Sequence, residues 1–186
     1  MRGVTSGLLV GILVLALVTS VRERERTPRL GPQRLLDRGS PARELLVVFL
    51  VSANCGATQS PDLRDLAPKL WASLKRIGSA EGKRVISIGV SVDADPDQGL
   101  RVLRQFGPFD EVIAGGGWVN AGSSLFLLGS VAGPQAVPQL VLLEREVRRE
   151  GGLQNPSVPA LVTRRVGLER IIDYAQRVGG LKIGTS

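Results

Sequence analysis

The sequence predicts an α/β fold in which helices flank a mixed central β-sheet. Two continuous apolar runs rich in β-branched residues, 45–51 and 85–92, have the composition of strands that are buried on both faces. A stretch with apolar residues at helical spacing separates them, and a third strand-like run lies at 137–143. Strands that alternate with helices favour a layered structure, and the two later segments add a hairpin and a last helix.

A polar loop and then a helix follow the first strand. The loop 52–60 contains Cys55, and Pro61 opens the helix, since a proline is well tolerated at an early helical position. Pro68 lies inside the helix, where we expect a kink, and Gly78 predicts its end. One face of this helix is apolar and consists of Leu63, Leu66, Leu70, Trp71, Leu74 and Ile77.

A second helix follows the second strand. Asp93 and Asp95 come directly after that strand, and we expect them to cap a helix whose apolar residues run from Leu100 to Phe106. The pattern predicts no element for residues 109–133.

The C-terminal third supplies the hairpin and the last helix. The third strand begins at Pro138, and we expect a turn at residues 144–146 that returns the chain through 147–149. Apolar residues between Val166 and Val178 recur at helical spacing and predict the last helix.

An apolar run near the N-terminus predicts attachment to a membrane. Residues 3–21 carry no charge, and a helix of that length, at about 1.5 Å per residue, roughly spans a hydrocarbon core of about 30 Å. We therefore expect residues 1–21 to be a signal anchor or a cleaved signal peptide. Residues 22–43, rich in proline, glycine and charge, are expected to be a linker, and residues 44–186 the folded domain.

Composition excludes several kinds of site. The 186 residues include no histidine and one cysteine, Cys55, which rules out a histidine-based catalytic relay, a histidine-ligated metal and an intramolecular disulfide. The net charge of +7 invites a nucleic-acid partner, but aromatic residues make up only 4% of the chain and the Lys and Arg residues are scattered. We expect no nucleic-acid partner, no metal and no cofactor.

Four segments between residues 43 and 151 follow one another in a recognisable order. VVFLVSANCG reads as a core strand that runs into a loop with a cysteine, and SPDLRDLAPKL as a helix kinked by a proline. VISIGVSVDADPD reads as a second strand with an acidic end, and AVPQLVLLE as a strand opened by a proline. In this order the segments resemble the thioredoxin-like superfamily, specifically the membrane-anchored TlpA-like thioredoxins and redoxins of bacteria. The resemblance implies a thioredoxin-like fold with Cys55 in the active-site loop and Pro138 as the cis-proline facing it.

The chain departs from this family at the reactive pair of cysteines. The family carries a CxxC motif, whereas the corresponding residues here read Cys55-Gly56-Ala57-Thr58, which places Thr58 where the second thiol stands. In a second register, counted back from the helix, Cys55 is the second position and Ser52 replaces the first. One thiol is missing in either register, so the candidate site consists of Cys55, Thr58 and Pro138.

Three functions are compatible with this pattern. A lone thiolate can attack a disulfide, but an external thiol must then resolve the mixed disulfide, so Cys55 could exchange thiols with a protein partner as a monothiol. The alternative is a non-catalytic thioredoxin-fold module that binds or assembles partners at the membrane surface. A one-cysteine peroxidase is a third reading, in which Ser52 supplies the hydroxyl three residues before the cysteine, although Val48 stands where that class has proline.

Two observations disagree about the side of the membrane on which the domain lies. More arginine flanks the C-terminal end of the apolar run than its N-terminal end, which by the positive-inside rule leaves the domain in the cytoplasm. The family resemblance implies the periplasmic side of the inner membrane. We expect a single-pass inner-membrane protein with an extracytoplasmic domain.

Overall fold

A computed structural model describes residues 42–129, 131–150 and 153–179, and in this part of the chain six strands form one mixed sheet. The sheet has the strand order β3-β2-β1-β4-β5, and β6 also pairs with β4. The first three strands are parallel, whereas β4 runs antiparallel to β1, β5 and β6. The strands are β1 (Ala42–Val51), β2 (Arg84–Ser91), β3 (Glu111–Ile113), β4 (Gln139–Glu150), β5 (Leu153–Pro156) and β6 (Ala160–Val166).

The central strand β1 is buried on both faces because its side chains alternate between two apolar cores. One core receives Leu45, Val47, Phe49 and Val51. The other receives Leu46, Val48 and Leu50. The continuous apolar run of the sequence therefore forms the predicted doubly buried strand, which begins at Ala42, three residues before the run itself.

Helices cover the sheet on the faces that right-handed crossovers dictate. Helix α1 (Pro61–Ala80) connects β1 to β2 and helix α2 (Pro96–Leu103) connects β2 to β3, so both pack into the first core. After β3, the chain crosses the sheet to reach β4 on the other side of β1. Helix α3 (Ala121–Ser123), continued by a π-helical turn at Ser124–Leu128, consequently packs into the second core.

The last helix, α4 (Leu168–Gly179), returns to the first core through its buried residues Ile171 and Ala175. Three parallel strands joined by two crossover helices, an antiparallel strand on the other side of β1 and a terminal helix constitute a thioredoxin-like fold. The predicted α/β class with a mixed sheet is confirmed.

Gly78 does not end helix α1, contrary to the prediction. The helix continues to Ala80, and Gly78 is buried where an added Cβ would overlap the Val85 side chain. The chain instead leaves the helix at Gly82, whose φ of +67° lies in the left-handed region that favours glycine. Gly78 thus permits close packing of the helix on β2.

The predicted turn at residues 144–146 is also wrong, since β4 continues unbroken to Glu150. Its charged residues remain in the strand because β1 extends beside them, with Glu144 opposite Leu45 and Val147 opposite Ala42. Ion pairs accommodate these charges on the sheet, one of them between Arg145 and the buried Glu44 at 2.8 Å.

Strand β6 has no counterpart in the sequence prediction, which assigned Val166 to the last helix. Val166 instead ends β6, where it pairs with Gln139. Gly167, with a φ of +86°, makes the turn into α4.

The N-terminal helix predicted for residues 1–21, and the predicted linker as far as residue 41, lie outside the described residues. Within the part of the chain that the structure describes, no helix has both the length and the apolar character needed to cross a membrane.

Candidate functional site

The Cys55 loop, residues 52–60, leaves the carboxyl end of β1 and turns twice before α1 begins. The Cys55 N–H donates to the Ser52 carbonyl at 3.3 Å, and the Gln59 N–H donates to the Cys55 carbonyl at 3.1 Å. The Gln59 side-chain amide also donates to the Ala53 carbonyl at 3.0 Å. These bonds hold Cys55, which is partly exposed, at the tip of a defined turn.

Asp93 anchors the start of this loop from the neighbouring strand. Its buried carboxylate accepts hydrogen bonds from the Ser52 hydroxyl at 2.7 Å, the Ala53 N–H at 2.9 Å and the Ser91 hydroxyl at 2.7 Å. Hydrogen bonds to a charged acceptor are among the stronger ones in proteins. The loop therefore cannot shift relative to β2 without leaving a buried carboxylate short of donors.

The prediction that Asp93 caps α2 is wrong, whereas the same prediction for Asp95 is confirmed. Asp95 is the N-cap, and its side chain accepts from the Asp97 N–H at 2.9 Å. The sequence did carry a signal for the true role of Asp93. Parallel strands end at the same edge of a sheet, so an acidic residue just after the second strand should meet the loop that follows the first.

Pro138 lies at the opposite wall of the site, and its peptide bond with Val137 is cis, as predicted. The Cys55 thiol donates to the Val137 carbonyl at 3.3 Å. The predicted proximity of Pro138 to the Cys55 loop is therefore confirmed. A thiol so close to the end of a strand can meet an extended substrate that pairs with the backbone there.

Thr58 is fully buried beneath the loop. Within the described residues, its hydroxyl has no hydrogen-bond partner. An unpaired buried hydroxyl costs stability, because folding removes its hydrogen bonds to water and supplies none in return. The role of Thr58 in the site stays a prediction.

The geometry of Ser52 bears on the peroxidase reading. The Ser52 hydroxyl donates to Asp93 and accepts from the Asn54 N–H at 3.2 Å, so its single proton is already engaged. Val48, at the position where that class has proline, is a buried residue of β1. Ser52 therefore has no free proton to donate to a peroxide, and no proline stands at position 48.

Arg164 and Gln139 support the segment that leads to Pro138, and neither was predicted from the sequence. The buried Gln139 amide donates to the carbonyls of Pro134 at 2.6 Å and Ala136 at 2.5 Å. Its oxygen accepts from the Arg164 guanidinium at 2.8 Å. Because Arg164 belongs to β6, a strand that the sequence pattern did not reveal, no signal pointed to it.

The guanidinium of Arg164 makes two further bonds to backbone carbonyls. It donates to Phe126 O at 2.9 Å and to Val131 O. Burial lowers the pKa of Arg164 because the surrounding protein displaces water from the charge. No ion pair links Arg164 to a carboxylate in the part of the chain that is described.

The described residues offer no group of three or more Cys, Asp or Glu side chains that could together hold a metal ion. The site consists of one thiol, a cis-proline segment, a buried carboxylate and a partly buried guanidinium.

No family model matches the sequence, and no curated protein matches it. Among solved structures, the thioredoxin domain of a thiol-disulfide oxidoreductase from Bacteroides vulgatus is 12% identical over 73% of this chain and 79% of that chain, with a TM-score of 0.41. A thiol:disulfide interchange protein from Bacteroides sp. is 12% identical over 76% of each chain, with a TM-score of 0.39. Apo Sco1 from Thermus thermophilus is 16% identical over 73% of this chain and 79% of that chain, with a TM-score of 0.34. Because these TM-scores are low, the thioredoxin-like fold is assigned from the strand order and the position of Pro138. The activities of these proteins are not attributed to this chain.

Proposed function

We propose that this protein is a membrane-tethered thioredoxin-like protein that exchanges thiols with a protein partner through Cys55 alone. One observation carries the proposal. The partly exposed Cys55 thiol lies 3.3 Å from the carbonyl of Val137, just before cis-Pro138 and the start of β4. The chain has no other cysteine. A merely structural cysteine has no need of that position.

The reaction is an exchange in two steps. The Cys55 thiolate attacks one sulfur of a partner disulfide, so that a new S–S bond forms and the second sulfur of the partner leaves as a thiolate. An external thiolate then attacks the mixed disulfide on the partner's sulfur and releases Cys55 as a thiolate. The external thiol, either a small thiol or a cysteine of another protein, supplies the resolving sulfur that Thr58 cannot supply.

Membrane attachment is part of the proposal and is supported by the uncharged residues 3–21. A tether raises the effective concentration of the domain near other membrane-bound proteins, so a weak monothiol encounter becomes frequent. The partner we propose is therefore a protein thiol or disulfide on the extracytoplasmic side of the inner membrane.

A second candidate is a binding module without redox turnover. The specific observation in its favour is that the Cys55 proton is engaged by the Val137 carbonyl while the second position of the motif is a threonine. Such a module would keep the groove at Pro138 and lose the chemistry.

The test uses glutathione disulfide as the probe and mass spectrometry as the readout. We expect the folded protein to gain one glutathione at Cys55 and to lose it again when reduced glutathione is added. Cys55→Ser is the control and should gain none. If the folded protein gains no glutathione while the urea-unfolded protein does, the thiol does not exchange in its native setting and the binding module is the better description.

A further inference from the structure

One cation, the guanidinium of Arg164, supports the segment that carries Val137. The guanidinium of Arg164 contacts three neutral oxygens, those of Gln139, Phe126 and Val131. Gln139 in turn donates to the carbonyls of Pro134 and Ala136. The side chains of Arg164 and Gln139 thus connect four backbone carbonyls.

This arrangement is a costly way to stabilise a loop. Desolvating a charge is unfavourable unless a counter-charge or several good acceptors compensate, and apolar residues of similar volume often stabilise a core better. Arg164 is partly buried and no carboxylate contacts it among the described residues, so neutral acceptors and the remaining contact with water compensate its charge. A requirement for a fixed position of the loop explains its presence better than a requirement for stability.

The connection leads directly to the thiol. Ala136, which accepts from Gln139, is followed by Val137, whose carbonyl accepts from Cys55. We propose that Arg164 is a positioning residue for Cys55, which acts through Gln139 to hold the Val137 carbonyl against the thiol. The proposal deepens the proposed function, because it concerns the same thiol, but it is tested on the reduced protein without any substrate.

The single cysteine makes a direct measurement feasible. The S–H stretching band in the infrared lies in a region where the backbone and water absorb weakly, and here it arises from Cys55 alone. A thiol that donates to a carbonyl absorbs at lower wavenumber than a free one. We expect the wild-type band to lie below that of the urea-unfolded protein, and Arg164→Met to move it towards the unfolded value.

Arg165→Met is the matched control. Arg165 is the next residue of β6 but stacks over the Tyr174 ring, 5.3 Å from its centroid, and takes no part in the loop network. Its substitution removes one arginine from the same strand, and we expect the S–H band to stay at the wild-type position. A general loss of stability would act alike in both variants and would not move the band in one alone.

Gly133→Ala provides a second perturbation in case Arg164→Met does not fold. A Cβ at Gly133 would overlap the Arg164 guanidinium, the far end of a flexible side chain, so the cation must move while the rest of the core stays. We expect a shift of the S–H band in the same direction as in Arg164→Met. The proposal is overturned if the band stays at the wild-type position in the folded variants, whatever the outcome of the glutathione experiment.

Discussion

Cys55 is held between two polar supports that come from opposite sides of β1. On the β2 side, the Asp93 carboxylate fixes the start of the loop through Ser52 and Ala53. On the β4 side, the Val137 carbonyl accepts from the thiol itself. The sulfur is therefore presented at a defined place, which is what an exchange reaction needs, since attack on a disulfide requires three sulfur atoms in line.

Replacing Asp93 with asparagine should destabilise the domain. The substitution keeps the size of the side chain but turns one acceptor oxygen into a donor, which then faces the donors that the carboxylate accepted from. We expect the free energy of unfolding in urea to fall by about 2–3 kcal/mol. Asp95→Asn is the control, since asparagine caps a helix as well as aspartate does, and should cost less than about 0.5 kcal/mol. Equal losses in both variants would contradict the role of Asp93.

Thr58→Cys should give the protein an internal disulfide. Residues 55 and 58 lie in one hydrogen-bonded turn, which the Gln59 N–H closes on the Cys55 carbonyl at 3.1 Å, so the two side chains are only three residues apart. The substitution also removes a buried hydroxyl without a partner, so little stability is lost. We expect loss of both free thiols on mild oxidation. We also expect this variant to catalyse insulin reduction and the wild-type protein not to do so.

Ser52→Cys tests the other register of the motif. This substitution removes the hydroxyl that donates to the buried Asp93 carboxylate, so we expect a loss of stability of about 1–3 kcal/mol and no gain of dithiol activity. Dithiol activity in Ser52→Cys but not in Thr58→Cys would assign Cys55 to the second position of the motif.

How much of the site the sequence predicted depends on how far apart along the chain the interacting residues lie. Cys55 and Pro138 were predicted because the segments around them resemble the active-site loop and the cis-proline strand of the thioredoxin-like superfamily. Asp93 was predicted in the right place with the wrong role, since capping is a local interpretation and its partners in the Cys55 loop, Ser52 and Ala53, are about 40 residues away. Arg164 depends on β6, whose mixture of threonine and arginine hides its pairing with β4.

At the scale of the elements, helix α1 packs closely against β1 and β2. Trp71 of α1 packs edge-on against Phe49, with ring centroids 5.3 Å apart, and donates to the Phe106 carbonyl at 2.7 Å. Its predicted place in the core is confirmed. Near its C-terminal end the helix comes so close to β2 that only glycine fits at position 78.

Gly78→Ala should therefore destabilise the protein although alanine is the better helix former. Helix propensity favours alanine by about 1 kcal/mol, but overpacking against Val85 should cost about 1–3 kcal/mol, which leaves a net loss in urea unfolding. Adding Val85→Ala should remove the overlap and restore part of the stability. If Gly78→Ala alone stabilises the protein, the helix does not pack as closely as described.

The strands illustrate why charged residues mislead a local prediction. Residues 144–150 are mostly charged and suggest the end of a strand, yet they pair with β1 and β5 because ion pairs and exposed positions accommodate them. The continuous apolar run at 140–143 predicted the half of β4 that lies between the two cores. It could not predict the half at the edge, where burial no longer selects the residues.

At the scale of the whole molecule, the site and the N-terminal end of β1 lie at opposite ends of the sheet. β1 has ten residues, and at about 3.3 Å per residue Ala42 and Val51 are separated by roughly 30 Å. A chain that enters the domain at Ala42 therefore leaves the Cys55 loop at the far end.

The same cysteine can report on which side of the membrane the domain lies. In bacterial spheroplasts that express the full chain, a membrane-impermeant maleimide reaches only extracytoplasmic thiols. We expect it to label the wild-type protein, because Cys55 is partly exposed and we propose a periplasmic domain. Cys55→Ser should remain unlabelled, and detergent-lysed spheroplasts show the maximum labelling.

The family resemblance and the positive-inside rule make opposite predictions here. Labelling that occurs only after lysis would place the domain in the cytoplasm, as the arginines after residue 21 indicate, and would leave the thiol chemistry to be sought among cytoplasmic partners.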